Sequence, residues 1–159
     1  MKKKLQLLIA PIVMNRIALC LSLFIFSLTS LRAQDTGVLT VIGHQKGSPV
    51  NMKLSELKNV LKGEKQRWPD GTKIVIALMK TGTPVGQTTA KKIYNMSGDQ
   101  LNRFWLALVF QGKASAPTFF NSQSDLEAYI AQTPGSIGVT SKTTNASLKV
   151  ITIDGKKEQ

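Results

Sequence analysis

The sequence predicts a single α/β domain with three layers, in which helices cover a β-sheet. Three observations favour this fold class. The apolar run 73–79 is nearly continuous, as in a strand that is buried on both faces. Around Trp105, apolar residues recur at helical spacing behind a capping-box pattern of Ser97 and Gln100. Strand-like and helix-like segments also alternate along the chain, which is the order of an α/β fold.

Residues 1–33 have the layout of a secretory signal peptide. Four basic residues precede the apolar run 17–28, and Ala33 is a small residue at a suitable cleavage position. An uncleaved membrane anchor is the alternative, but the run is shorter than the roughly 20 residues of a spanning helix. We therefore expect residues 34–159 to form an exported domain, periplasmic or otherwise extracytoplasmic.

Cysteine and histidine are scarce, which argues against several kinds of site. Cys20 is interpreted as an apolar position of the signal, because Leu19 stands where a lipoprotein signal needs a small residue. The mature part has no cysteine and a single histidine, His44, so no disulfide can stabilise it. One histidine builds no metal cluster, so we expect a loop or packing role for His44 and no metal or cofactor.

The charge is strongly basic, with 21 Lys and Arg against 9 Asp and Glu. Five of the basic residues precede residue 34, which leaves 16 against 9 in the mature part, a net charge of +7. The doublets at 91–92 and 156–157 have no aromatic residues interleaved with them, so nucleic acid is not expected as a partner. A basic surface suits small anions, anionic envelope polymers or a membrane face, or is simply solvated.

The first half of the mature chain reads as strand, helix and strand. A β-rich run predicts a first strand at 37–42, closed by Gly43. A loop follows, and then a helix with Ser55 as N-cap and with Gly63 as the left-handed residue after its end. The buried face of this helix is expected to carry Leu57, Val60 and Leu61. The second strand is expected over 72–79.

The second half begins with a weak helix. Thr83 is its expected N-cap and Pro84 its first residue, while its apolar face consists of Val85, Thr89, Ile93 and Met96. Gly86 and the threonines lower its helix propensity. The helix behind Ser97 is stronger and ends at Gly112.

The remaining elements follow a connector at 112–120. Ser122 with Asp125 resembles another capping box, and its helix must end before Pro134. Two strands complete the fold, a short one that opens from the turn at 133–140 and a final one at 148–154. The charged tail behind them is expected to fray.

Catalytic motifs are absent. Gly135-Ser136-Ile137-Gly138 lacks the spacing of a nucleophile elbow, and no Walker loop or dinucleotide fingerprint occurs. The carboxylates of Glu56, Glu64 and Asp70 lie in segments that are expected to face solvent, where no acid/base pair is formed. The sequence therefore favours a protein that is not an enzyme.

One loop has the chemistry of an anion site. Lys80, Thr81, Gly82 and Thr83, the 80–83 loop, stand between the end of a buried strand and the start of a helix. Backbone N–H groups, two hydroxyls and an ammonium can converge on an anion there. Gln87 is a fifth candidate ligand. The alternative is that Thr83 only caps the helix.

Three stretches of the chain together resemble one family, the periplasmic phosphate-binding proteins of ABC transporters and short exported domains related to them. They are 54–71 with Gly63 and Trp68, 101–117 with Trp105 and Phe110-Gln-Gly-Lys113, and the turn 131–138. The resemblance covers nearly all of 36–153 and implies one lobe of a type II periplasmic-binding-protein fold. It matches mainly the second of the family's two lobes.

The resemblance also implies an altered site. Family members have Ser-Gly-Thr at the helix start, a role that Thr81-Gly82-Thr83 could take, and an arginine nearby. Here the aligned positions hold Ala77, Met79 or Gly86. Lysine offers a point charge instead of a planar fork, so phosphate is expected to bind weakly or not at all.

Two functions follow from these observations. The first is binding of phosphate or another small anion for uptake, with a membrane transporter as partner. The second is an interaction module for an envelope protein, in which the ligand site has decayed. The missing lobe and arginine motivate the second.

Overall fold

The computed structural model describes residues 37–143 and 145–158, and the predicted signal peptide lies outside them. The elements are β1 Thr40–His44, β2 Asn51–Met52, α1 Leu54–Leu61, β3 Val75–Met79, α2 Pro84–Thr89, a π-helix Ala90–Tyr94, α3 Gly98–Phe110, β4 Thr118–Phe120, α4 Gln123–Gln132, β5 Ser136–Thr140 and β6 Leu148–Ile153. No helix in this described part is long and apolar enough to cross a membrane.

The six strands form one mixed sheet in the order β2-β6-β1-β5-β3-β4. Strand β1 is antiparallel to β5 and β6, whereas β3 is parallel to β5 and β4. Apolar side chains from α1, the π-helix and α3 form one core cluster, and those from α4 form a second with Ile42 and Ala77 of the sheet. Helices thus cover the sheet in a three-layer α/β fold, as predicted.

Helix α1 confirms its predicted face but not its predicted cap. Leu57, Val60 and Leu61 are buried, and Gly63 has a φ of 77°. The N-cap is Lys53, not Ser55, and it makes no side-chain cap bond. The Leu54 N–H instead donates to the Asp154 carboxylate at 3.4 Å, so a residue at the far end of the chain replaces the local cap.

The strands differ from the prediction at the edges. The first strand runs over Thr40–His44 instead of 37–42 and includes Gly43, where a Cβ would collide with Ser48. The short strands β2 and β4 were not predicted. Within the described residues the tail turns at Ile153–Lys156, and Glu158 forms a bridge with Thr40.

The helices of the second half begin where their caps predict. Ser97 and Gln100 form both bonds of the capping box, and the Ser122 hydroxyl accepts from the Asp125 N–H. Helix α2 was expected to continue as an α-helix but passes into a π-helix that ends at Asn95 with a φ of 55°. The wider turn places Ile93 and Tyr94, adjacent in sequence, in the same core.

Candidate functional site

The 80–83 loop lies at the carboxyl end of β3, where the chain turns into α2. The Lys80 N–H donates to the Phe120 carbonyl oxygen at 2.9 Å, which ties the loop to the end of the neighbouring strand β4. The side chain of Lys80 is exposed. This edge of a parallel strand pair is where α/β proteins commonly place ligands.

Thr83 acts as the helix cap. Its hydroxyl donates to the Lys80 carbonyl oxygen at 2.8 Å and accepts from the Gly86 N–H at 3.1 Å. Its own N–H also donates to the Lys80 carbonyl oxygen, at 2.9 Å. Because its hydroxyl proton is already engaged, Thr83 closes the loop and offers no donor to a ligand in this arrangement.

Thr81 and Gly82 keep donors that can face a ligand. The Thr81 hydroxyl oxygen accepts from the Asn102 side-chain amide at 3.2 Å, which leaves its proton for another acceptor. The Gly82 N–H has no acceptor within the described residues. With the Lys80 ammonium, the loop thus presents one charge, one hydroxyl and one amide.

A cavity of ≈ 510 Å³ borders this loop. All four residues of the 80–83 loop line it, together with Asn102, Phe119 and Asn121. The sequence analysis missed the last three. Asn121 directly follows the unpredicted strand β4, and Asn102 projects from the exposed side of α3, so the predicted fold had to be assembled before either could be placed here.

Gln87 lies apart from Lys80 and Thr83. It lines a different cavity, which shares Thr81 and Gly82 with the first one and also contains Lys91 and Asp99. This second cavity carries charges of both signs, so it is less suited to an anion. Of the five candidate residues, Lys80 and Thr83 line the first cavity and Gln87 the second, while Thr81 and Gly82 line both.

The structure explains why no arginine faces the loop from the three aligned positions. Ala77 and Met79 are buried within β3. A Cβ at Gly86 would overlap the Lys80 carbonyl oxygen, so no larger residue fits that position without moving the loop. Among the residues that line the ≈ 510 Å³ cavity, Lys80 is the one charged side chain.

The other titratable groups that the sequence analysis considered have structural contacts. The His44 Nδ1 accepts from the Lys46 N–H at 2.8 Å, which is a loop role. Glu56 forms an ion pair with Lys65 at 2.7 Å. The Thr72 N–H donates to Asp70 and lowers the pKa of that exposed carboxyl. The described residues contain no group of three or more His, Cys, Asp or Glu that could hold a metal ion.

No protein-family model matches the sequence. No curated protein matches it either. Sequence comparison thus assigns the chain to no family.

Solved structures do match the fold. An ABC-type phosphate transport receptor from Vibrio cholerae aligns with a TM-score of 0.60 at 15% identity, over 83% of this chain and 56% of that one. A proposed phosphate ABC transporter substrate-binding protein from Clostridium perfringens, solved with bound phosphate, gives 0.56 at 14% identity, over 74% and 45%. PstS from Borrelia burgdorferi gives 0.53 at 16% identity, over 75% and 48%.

The chain spans about half the length of these three proteins. At such low identity the likeness establishes the fold alone. The fold is α/β, of the type II periplasmic-binding-protein kind, as the resemblance of the three sequence stretches implied.

Proposed function

We propose that the protein is an extracytoplasmic solute-binding protein that binds phosphate or another small anion at the 80–83 loop, without catalysis. The observation that carries the proposal is that Lys80, Thr81 and Gly82, which carry an ammonium, a hydroxyl and an N–H, line one cavity. Oriented donors and a cation at the end of a strand form an anion-binding arrangement. The fold shared with phosphate-binding proteins supports the choice of ligand class, and a membrane transporter is the corresponding partner.

The affinity is expected to be weak, with a dissociation constant on the order of millimolar, which corresponds to about 4 kcal/mol. Lys80 supplies a point charge, and the position of Gly86 leaves no room for the bidentate fork of an arginine. Thr83 adds no free donor, because its hydroxyl caps α2. Binding should also weaken with added salt, since Lys80 is exposed.

The test is a titration of the purified protein with phosphate at low salt, followed by amide chemical shifts. The Thr81 and Gly82 amides should shift and saturate in the millimolar range, and Lys80→Gln should abolish the saturable shift. Lys91→Gln is the matched control, because Lys91 lines the other cavity. Unchanged Thr81 and Gly82 amides at millimolar phosphate would rule out this anion site.

A second function is an envelope interaction module with a decayed ligand site. It is favoured because Ala77, Met79 and Gly86 leave no place for an arginine, and because the Thr83 hydroxyl is used as a helix cap. The test is a pull-down from envelope extract with the native protein and with Lys80→Gln plus Thr81→Val. A defined partner that both proteins retain supports the module. Recovery of no defined partner, together with phosphate-dependent shifts that the double variant loses, supports the anion site instead.

A further inference from the structure

Helix α3 exposes large apolar side chains on one side. Leu106 is 58% exposed, Val109 41% and Phe110 83%. Their spacing of three and four residues places them next to one another on the helix surface. Contiguous apolar residues of this kind mark interaction surfaces more often than isolated ones do.

Leu106 and Val109 border a cleft of ≈ 250 Å³ between α3 and β4. Its lining consists of Asn102, Trp105, Leu106, Val109, Ala116 and Phe119. Asn102 and Phe119 also line the cavity beside the 80–83 loop, so the two cavities adjoin. We call these adjoining cavities, with Lys80 at one end and the apolar cleft at the other, the α3–β4 groove.

Strand β4 lies along this groove and is the last strand of the sheet. It pairs with β3 on one side, and no described strand pairs with its other edge. Phe119, in the middle of β4, lines both cavities. An open strand edge beside an apolar cleft suits an extended chain, which adds main-chain hydrogen bonds to the sheet and places a side chain in the cleft.

Among the residues that line the α3–β4 groove, Lys80 is the one charged side chain. A second copy of the chain would bring the same Lys80 and the same excess of basic residues to the groove, which is unfavourable. A lipid bilayer would leave the open edge of β4 without hydrogen-bond partners. Charge and shape thus favour an acidic protein segment.

We propose that the α3–β4 groove docks an extended segment of another protein, with a bulky apolar side chain in the cleft and a flanking carboxylate towards Lys80. This surface and partner class rest on the second candidate function, the interaction module, and do not require phosphate binding. A carboxylate of the segment would meet the same donors of the 80–83 loop that we propose for a small anion.

The test selects short random peptides from a displayed library against the purified protein. Enriched peptides should carry Asp or Glu around a Phe, Leu or Ile, and their binding should weaken with salt. Leu106→Asp should reduce their affinity by about tenfold or more, because it puts a carboxylate at the cleft. Lys80→Gln should also reduce it, but less, since Lys80 is the charged side chain that lines the groove and is exposed.

Val50→Ser is the matched control, because Val50 is 64% exposed but lies outside the groove. The proposal is overturned if no peptides are enriched, if the enriched peptides lack carboxylates, or if they bind the Leu106→Asp variant equally well. Binding to anionic phosphatidylglycerol vesicles that Phe110→Ser abolishes, without peptide enrichment, would show a membrane surface instead. The phosphate titration, followed at the Gly82 amide, tests the anion site independently of the peptide selection. The anion site and the docking groove can therefore each be refuted without the other.

Discussion

Replacing Tyr94 by Phe is expected to lower the free energy of unfolding by about 1–3 kcal/mol, the cost of leaving a buried acceptor without its partner. Tyr94 ends the π-helix and is 3% exposed, and its hydroxyl donates to the Leu61 carbonyl oxygen at 2.6 Å. Leu61 is the last residue of α1, where carbonyls lack partners within the helix. The Phe variant keeps the ring and removes only this donor.

The same side chain gives a signature at alkaline pH. Burial raises the pKa of the Tyr94 hydroxyl, and the nearby Trp105 indole N–H, which falls short of hydrogen-bond geometry, offsets part of the effect. Above about pH 10 the unfolded chain loses this proton while the native protein keeps it, so stability falls with rising pH. One pH unit above the unfolded pKa, the loss from this group is about 1.4 kcal/mol. Tyr94→Phe lacks this loss.

Urea unfolding at about pH 8 and about pH 11 measures both effects, provided that the m-value stays the same. The stability difference between the native protein and Tyr94→Phe should shrink by about 1.4 kcal/mol at the higher pH. Tyr129→Phe is the control, with an expected change within about 0.5 kcal/mol, because its hydroxyl has only an exposed partner, Thr118, at 3.4 Å. A difference below about 0.5 kcal/mol at the lower pH would refute the role of Tyr94 as a cap of α1. So would a difference that does not change with pH.

Two further predictions concern local contacts of the loops. Thr83→Ala should destabilise the protein by about 1 kcal/mol, whereas Thr83→Ser, which keeps the capping oxygen, should cost much less; equal thermal denaturation of the two variants would contradict the cap. Asp70, whose pKa is lowered by the Thr72 N–H, stabilises the protein above its unfolded pKa of about 3.9, and this contribution is lost as pH falls through the native pKa. The stability difference between the native protein and Asp70→Ala should therefore shrink in acid unfolding experiments, and a difference that stays constant would contradict it.

The elements that the sequence predicted correctly are those with a local signal. The Ser97 capping box, the Thr83 cap with Pro84 and the left-handed Gly63 each act within one turn, so spacing alone reveals them. The N-cap of α1 was predicted wrongly because the donor at Leu54 is satisfied by Asp154, far along the chain. A local rule has no information about such a partner.

The edge strands show the same limit. The pair Asn51–Met52 becomes a strand only beside Thr152 and Ile153, and Thr118–Phe120 only beside β3. Missing β4 had a consequence for the site, because Phe119 and Asn121 reach the ≈ 510 Å³ cavity through that strand. The position of the 80–83 loop could be read from the sequence, whereas the opposite wall of its cavity depends on the sheet order.

Gly86 links the construction of this loop to its chemistry. With hydrogen as its side chain, Gly86 lets α2 approach the Lys80 carbonyl oxygen, and the Thr83 hydroxyl then bridges that oxygen and the Gly86 N–H. This tight turn fixes the backbone, but the Thr83 hydroxyl proton is used in the hydrogen bond to Lys80, and a long side chain is excluded at position 86. Charge and donors consequently remain on the outer side of the loop, at Lys80, Thr81 and Gly82, where the cavity opens towards Phe119 and the apolar cleft. We expect a loop built in this way to contact an anionic group without enclosing it. A carboxylate on an extended chain should therefore bind there better than a free ion, because apolar contacts in the neighbouring cleft would add binding free energy that a single exposed lysine lacks.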